Sequence, residues 1–111
     1  MIQQRDILLV PFPFSDQSGR KVRPVVVISS TIFNQCSEDI LVVAVTSNIT
    51  KDKYTIILLK NEVEEGIVNH DCCIKVENIL KIDKKLIIKK IGKIKPATLQ
   101  EIIAILNSII E

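Results

Sequence analysis

Residues 25 to 28 read Val-Val-Val-Ile, with no polar position among them, and they follow directly on Arg23 and Pro24. A strand that alternates apolar and polar leaves one face to water, whereas one that is apolar throughout has to be covered on both faces. Two further segments are nearly as apolar: Asp39 to Thr46 (DILVVAVT) and Tyr54 to Leu59 (YTIILL). A chain of 111 residues with such segments is expected to form one domain, spanning 1–111, with its central strands enclosed.

Punctuation along the chain fills in the rest. Asp6 to Phe12 (DILLVPF) is β-prone and ends at Pro11 and Pro13, because proline removes a ladder donor. A polar loop, Ser15 to Lys21, leads into the strand Val22 to Ser29. Thr31 to Ser37 is too short for more than a turn of helix. Asn61 to Gly66 is acidic and ends in glycine, which predicts a helical turn or loop. Val68 to Glu77 and Ile79 to Ile82 read as strand, turn, strand, and Leu86 to Ile91 as a strand stopping at Gly92. Pro96 suits the first turn of a helix, after which Leu99, Ile102, Ile103, Leu106, Ile109 and Ile110 form an apolar face at helical spacing. The expected fold is mainly β with a C-terminal helix, a small, partly open barrel.

Several chemistries are excluded or unsupported. The chain has no glycine-rich phosphate loop and no metal-ligand spacing. Its three cysteines are odd in number, and Cys72 and Cys73, being adjacent, project to opposite strand faces and cannot share a metal. They read as reduced, structural thiols. No cofactor or metal is expected. The N-terminus lacks a signal pattern and no segment is long enough to span a bilayer, so no membrane association and a cytoplasmic location are expected. His70, between Asn69 and Asp71, is either a general base or a structural hydrogen-bonding group. A cysteine nucleophile would need Cys72 or Cys73 to meet His70, which neighbouring strand residues projecting apart would prevent. A net charge of +2 does not by itself call for nucleic acid, although lysines are dense from Lys75 to Lys95. That density fits a solvated face as readily as an anion-binding one.

Arg23 and Thr46 stand out because each lies where a loop meets a buried strand. Arginine presents a planar fork of donors that matches two phosphate oxygens, and a threonine hydroxyl both donates and accepts. If their strands are neighbours, the pair would suit a phosphorane whose non-bridging oxygens gather negative charge. The plainer alternative is a surface cation and a strand-ending turn residue.

The blocks DILLVPFPFSD (Asp6 to Asp16), KVRPVVVIS (Lys21 to Ser29), LVVAVTS (Leu41 to Ser47), GIVNHDCCIKVENI (Gly66 to Ile79), Ile82-Asp83 and KIGKI (Lys90 to Ile94) together resemble the PemK/MazF family of bacterial toxins. The resemblance covers nearly the whole chain in order. It implies a homodimeric SH3-like barrel that cuts single-stranded RNA without a metal and is silenced by a cognate antitoxin lying over its groove. It also implies that Arg23 and Thr46 are catalytic. The ribose 2′-hydroxyl would attack the adjacent phosphorus, leaving a 2′,3′-cyclic phosphate and a 5′-hydroxyl end. Asp16, Gln17, Ser18, Arg20 and Lys21 would belong to a flap over the RNA, with Pro24, Ser47 and Asn78 as further substrate contacts.

There are departures. Where many members carry Ser this chain has Cys72, and where some carry Gln followed by Arg-Thr it has Asn78, Leu80 and Lys81. Lys81 would restore the missing charge only from the opposite strand face. A non-catalytic relative on the same barrel is the alternative, either a gyrase-poison-like protein or an antitoxin-binding domain. Apolar surface on the final helix and third apolar strand, beyond what one small barrel needs, points the same way as the implied homodimer.

Overall fold

The computed structural model describes residues 1–11, 22–66, 68 and 70–111. Among the described residues, seven strands form one antiparallel sheet: β1 (Asp6–Pro11), β2 (Val22–Val27), β3 (Asp39–Thr46), β4 (Thr55–Leu58), β5 (Val63–Gly66), β6 (Cys72–Asp83) and β7 (Lys89–Ile94). Their spatial order is β4-β6-β3-β2-β1-β7-β5. Helix α1 (Thr31–Cys36) joins β2 to β3, and helix α2 (Pro96–Ile110) closes the chain. The sheet curls into a half-barrel, so residues from β4 and β7, far apart in strand order, share one core with α2.

The apolar run on β2 is covered on both faces. Val26 packs with Ile7, Val43, Ile74 and Val76 beneath Leu99 and Ile102 of α2. Val25 and Val27 turn the other way, joining Leu8, Val10, Val42 and Ile82 in a second core. Successive strand side chains must alternate, so an all-apolar strand serves two cores.

Four local expectations are corrected. Thr31–Cys36 is a helix of six residues rather than a single turn. Ser30 caps it by accepting from the Phe33 N–H, and buried Asn34 locks it to Ser29. The acidic segment is a strand, β5, because it faces cations. Glu65 pairs with Lys90 at 3.1 Å and Glu64 with Arg5 at 3.1 Å. The strand-turn-strand reading gives way to one twelve-residue strand, β6. Its register on β3 shifts between Val43↔Ile79 and Ala44↔Lys75, which leaves Val76, Glu77 and Asn78 as a bulge. Finally, Lys84–Leu86 is a 3₁₀ turn, begun by Asp83 accepting from the Lys85 N–H, and the strand after it starts only at Lys89.

Gly92 does not end β7; it lies within it. Gly92 pairs with Gly66, and a Cβ there would come within 2.8 Å of the Glu65 carbonyl oxygen. Close approach, not chain reversal, explains this glycine. The junction of β1 and β7 holds a buried carboxylate. Asp6, 1% exposed, lies 3.2 Å from Lys90 Nζ and 4.0 Å from Lys93 Nζ, and Lys93 donates to Gln3.

Candidate active site

Register brings Arg23 and Thr46 together. β2 and β3 pair Val25 with Ala44, Val26 with Val43 and Val27 with Val42. Two residues further toward the loops, the same register sets Arg23 across from Thr46. On the flanking strands, Val10 pairs with Arg23 and Cys73 with Thr46. One row thus runs Val10, Arg23, Thr46, Cys73 over four strands.

That row borders a cavity of about 270 Å³ lined by Val10, Arg23, Val25, Ala44, Val45, Thr46, Asn48, Thr50, Lys75, Asn78 and Leu80. Its base is the second core, and its rim is polar. Thr46 Oγ1 accepts from the Asn48 N–H at 3.1 Å. This uses one lone pair of the hydroxyl and leaves its proton to donate elsewhere. Thr50 is held by its carbonyl, which accepts from Thr55 Oγ1 at 3.1 Å and from Cys73 Sγ at 3.6 Å. Asn78 reaches the cavity because of the bulge. On a regular strand, Lys75 and Asn78, three apart, would face opposite ways; the register shift turns both to this side.

Of the expected site residues, Arg23, Thr46 and Asn78 line this cavity. Pro24 and Ser47 do not. Each follows a cavity residue by one position and so faces the other way, into a second cavity of about 710 Å³ that Arg23 also borders. Asp16, Gln17, Ser18, Arg20 and Lys21 lie outside the described residues. Lys81 is on the far face, 3.9 Å from Asp39, and is absent from the cavity lining. Lys75, Asn48 and Thr50 were not singled out from sequence as site residues. Lys75 was hidden among many lysines, and only the register separates it from them.

The second cavity combines apolar walls (Ile7, Leu9, Val22, Leu58, Ile91) with Lys89, Lys90 and His70. His70 and Cys72, two residues apart, line it together, contrary to the expectation that they project apart. Cys72 is still a poor nucleophile. Burial, then the neighbouring Cys73 and Asp71, push its thiol up to about 11, so at neutral pH it stays protonated. Cys73 is buried on the opposite face, in the Arg23–Thr46 row.

A family model describing the PemK-like, MazF-like toxin of type II toxin–antitoxin systems matches residues 3–110. The chain belongs to that family. Solved structures agree on the fold. A MazE–MazF complex from Deinococcus radiodurans superposes with a TM-score of 0.79 at 16% identity, over 97% of this chain and 94% of that one. An endoribonuclease in complex with its cognate antitoxin, from a mycobacterial species, gives 0.77 at 15% identity, over 97% and 93%. The Mycobacterium tuberculosis toxin MazF-mt6 gives 0.76 at 13% identity, over 94% of each. A search of curated protein sequences finds no match. No helix among the described residues is long and apolar enough to cross a membrane.

Proposed function

We propose that this toxin is an endoribonuclease that cuts single-stranded RNA without a metal, with Arg23 and Thr46 as its catalytic residues. The observation that carries the reading is the placement of those two side chains on one row at the loop ends of adjacent strands, above a polar-rimmed cavity. A structural neighbour described as an endoribonuclease supports it.

In the proposed reaction the ribose 2′-oxygen attacks the adjacent phosphorus, and the bond from phosphorus to the 5′-oxygen breaks. The products are a 2′,3′-cyclic phosphate and, once the leaving oxygen takes up a proton, a 5′-hydroxyl. Negative charge grows on the non-bridging oxygens in the transition state, where fixed donors are worth most. The Arg23 guanidinium spans two of those oxygens and the Thr46 hydroxyl, oriented by Asn48, donates to the phosphorane. Asn78 contacts the RNA beside it. A guanidinium does not give up its proton in a protein, so the proton of the 2′-hydroxyl passes to another acceptor.

The partners proposed with this activity are a cognate antitoxin and a second copy of the chain. Neighbours solved as complexes with antitoxin support the first. For the second, α2 exposes Ile103, Ile109 and Ile110, and β4 with its flank exposes Ile57 and Leu59, more apolar surface than an isolated small domain normally carries.

The test is incubation of purified protein with a long mixed-sequence RNA in excess chelator. Discrete fragments ending in 2′,3′-cyclic phosphates, absent with Arg23→Ala, are expected. Intact RNA at a dose that still arrests growth would sink the nuclease reading in favour of a non-catalytic toxin.

A further inference from the structure

We infer that Lys75 is the second cation of the RNA-binding cavity, holding a backbone phosphate other than the one that reacts; this rests on the nuclease reading above. Lys75 stands on β6 opposite Ala44 of β3 and Thr55 of β4, two residues in from the Thr46 row and on the same face. The short side chain of Ala44 leaves the space above this row open, and Lys75 lines the same cavity as Arg23, Thr46 and Asn78.

Among the described residues, Lys75 is the lysine that lines this cavity, and it differs from the lysines already engaged elsewhere. Lys81 faces Asp39, Lys90 is shared by Asp6 and Glu65, Lys93 lies by Asp6, and Lys84 donates to the Asn34 carbonyl at 2.6 Å. Lys75 makes no ion pair among the described residues, and none of the described residues lining the cavity is a carboxylate. It is half-buried and forms part of the cavity wall. An uncompensated cation in a recess attracts an anion. Leu80, which lines the same cavity, brings no charge, and Lys81 is turned away; Lys75 is the lysine placed to serve there.

Arg23 and Lys75 lie two strand spacings apart across the sheet and two residues apart along it, roughly 12 Å between backbones. That separation suits two different phosphates of a strand rather than two oxygens of one. Lys75 therefore contributes to binding more than to the bond-making step.

The test compares the wild type, Lys75→Ala, Lys75→Arg and Lys81→Ala in two assays. The first is equilibrium binding of a mixed-sequence single-stranded DNA, which lacks the 2′-hydroxyl and cannot be cut, over a range of salt. The second is cleavage kinetics on RNA. Losing one phosphate contact on a single strand should flatten the plot of log affinity against log salt by about 0.7. Lys75→Ala should show that change, with KM raised on the order of tenfold, the scale of one charge-assisted contact, and kcat nearly unchanged. Lys75→Arg should recover the slope, and Lys81→Ala should match the wild type. A Lys75→Ala protein with wild-type slope and KM overturns the inference, as does a fall in kcat at constant KM, which would put Lys75 at the reacting phosphate. If the wild type binds DNA with a Lys75-dependent slope but leaves RNA intact, the nuclease reading fails and the phosphate-binding role stands.

Discussion

Arg23 and Thr46 face each other at the loop ends of β2 and β3, two residues beyond the Val25↔Ala44 pair and on the same side of the sheet. Below them Val25 is 2% exposed and Val27 fully buried, so the strand that presents Arg23 cannot shift without opening a core. A donor that is already in place costs no reorganisation when charge develops. The site borrows its rigidity from the sheet.

Arg23→Ala should therefore lower RNA cleavage by about a hundred- to a thousandfold, the range for removing one transition-state donor. Thr46→Ala should cost less, on the order of tenfold to a hundredfold, and Thr46→Ser should keep most activity. Thermal melts of all three should stay within a few degrees of the wild type, since both residues sit at strand ends. Undiminished cutting by Arg23→Ala would remove Arg23 from the mechanism.

Gly66 is the point where β5 is most sensitive. Its φ is +88°, and an added Cβ would come 2.2 Å from the Ile91 carbonyl oxygen and 2.4 Å from Gly92 Cα. Both the left-handed backbone and the contact oppose a side chain. Gly66→Ala should destabilise the protein by about 2 kcal/mol or more, measured by urea unfolding. Stability equal to the wild type would mean that β5 does not seat on β7 in this register.

The two faces of α2 should behave differently. Ile102 is fully buried against β6 and its neighbours, whereas Ile103 is 37% exposed. Ile102→Ala should cost about 2–5 kcal/mol through lost burial and the cavity it leaves. Ile103→Ala in the monomer should stay within about 1 kcal/mol. If Ile103→Ala also shifts the sedimentation profile toward smaller species, the exposed face is part of the dimer.

The cysteines predict a pH dependence. With Cys72 raised to about 11, the folded protein keeps this proton after the unfolded chain begins to lose it near 9. Stability from this group is complete below about pH 9 and falls as pH rises toward 11. At pH 8 a thiol reagent should label exposed Cys36 quickly and the buried Cys72 and Cys73 only after denaturation. Rapid labelling of Cys72 in the native state would contradict its burial.

Much of this architecture was legible in the residues. Val25 to Ile28 announced a strand covered on both faces, although β2 stops at Val27 rather than Ser29. Asp39 to Thr46 was found with its boundaries unchanged, and Pro96 marked the start of α2. Arg23 and Thr46 could be paired from loop-strand junctions and from family resemblance. The acidic segment Val63–Gly66 was misread because its strand propensity is poor; it depends on Arg5 and Lys90, which lie far away in sequence. β6 was split in two because a bulge looks like a turn when only one strand is in view.

The sequence by itself determined that β2 and β3 are interior, where the helix begins and which cation and hydroxyl stand at strand ends, because burial and turn chemistry are written in local pattern. Tyr54 to Leu59, nearly as apolar, supplies the edge strand β4. Only the tertiary structure decided which side chains share a cavity. Pro24 and Ser47 go to one side by simple strand alternation, whereas Asn78 and Leu80 join Lys75 on the other only through a three-residue register shift between β3 and β6. A strand's side-chain period is two, so an odd displacement reverses every face beyond it, and its position depends on a partner that local pattern does not encode.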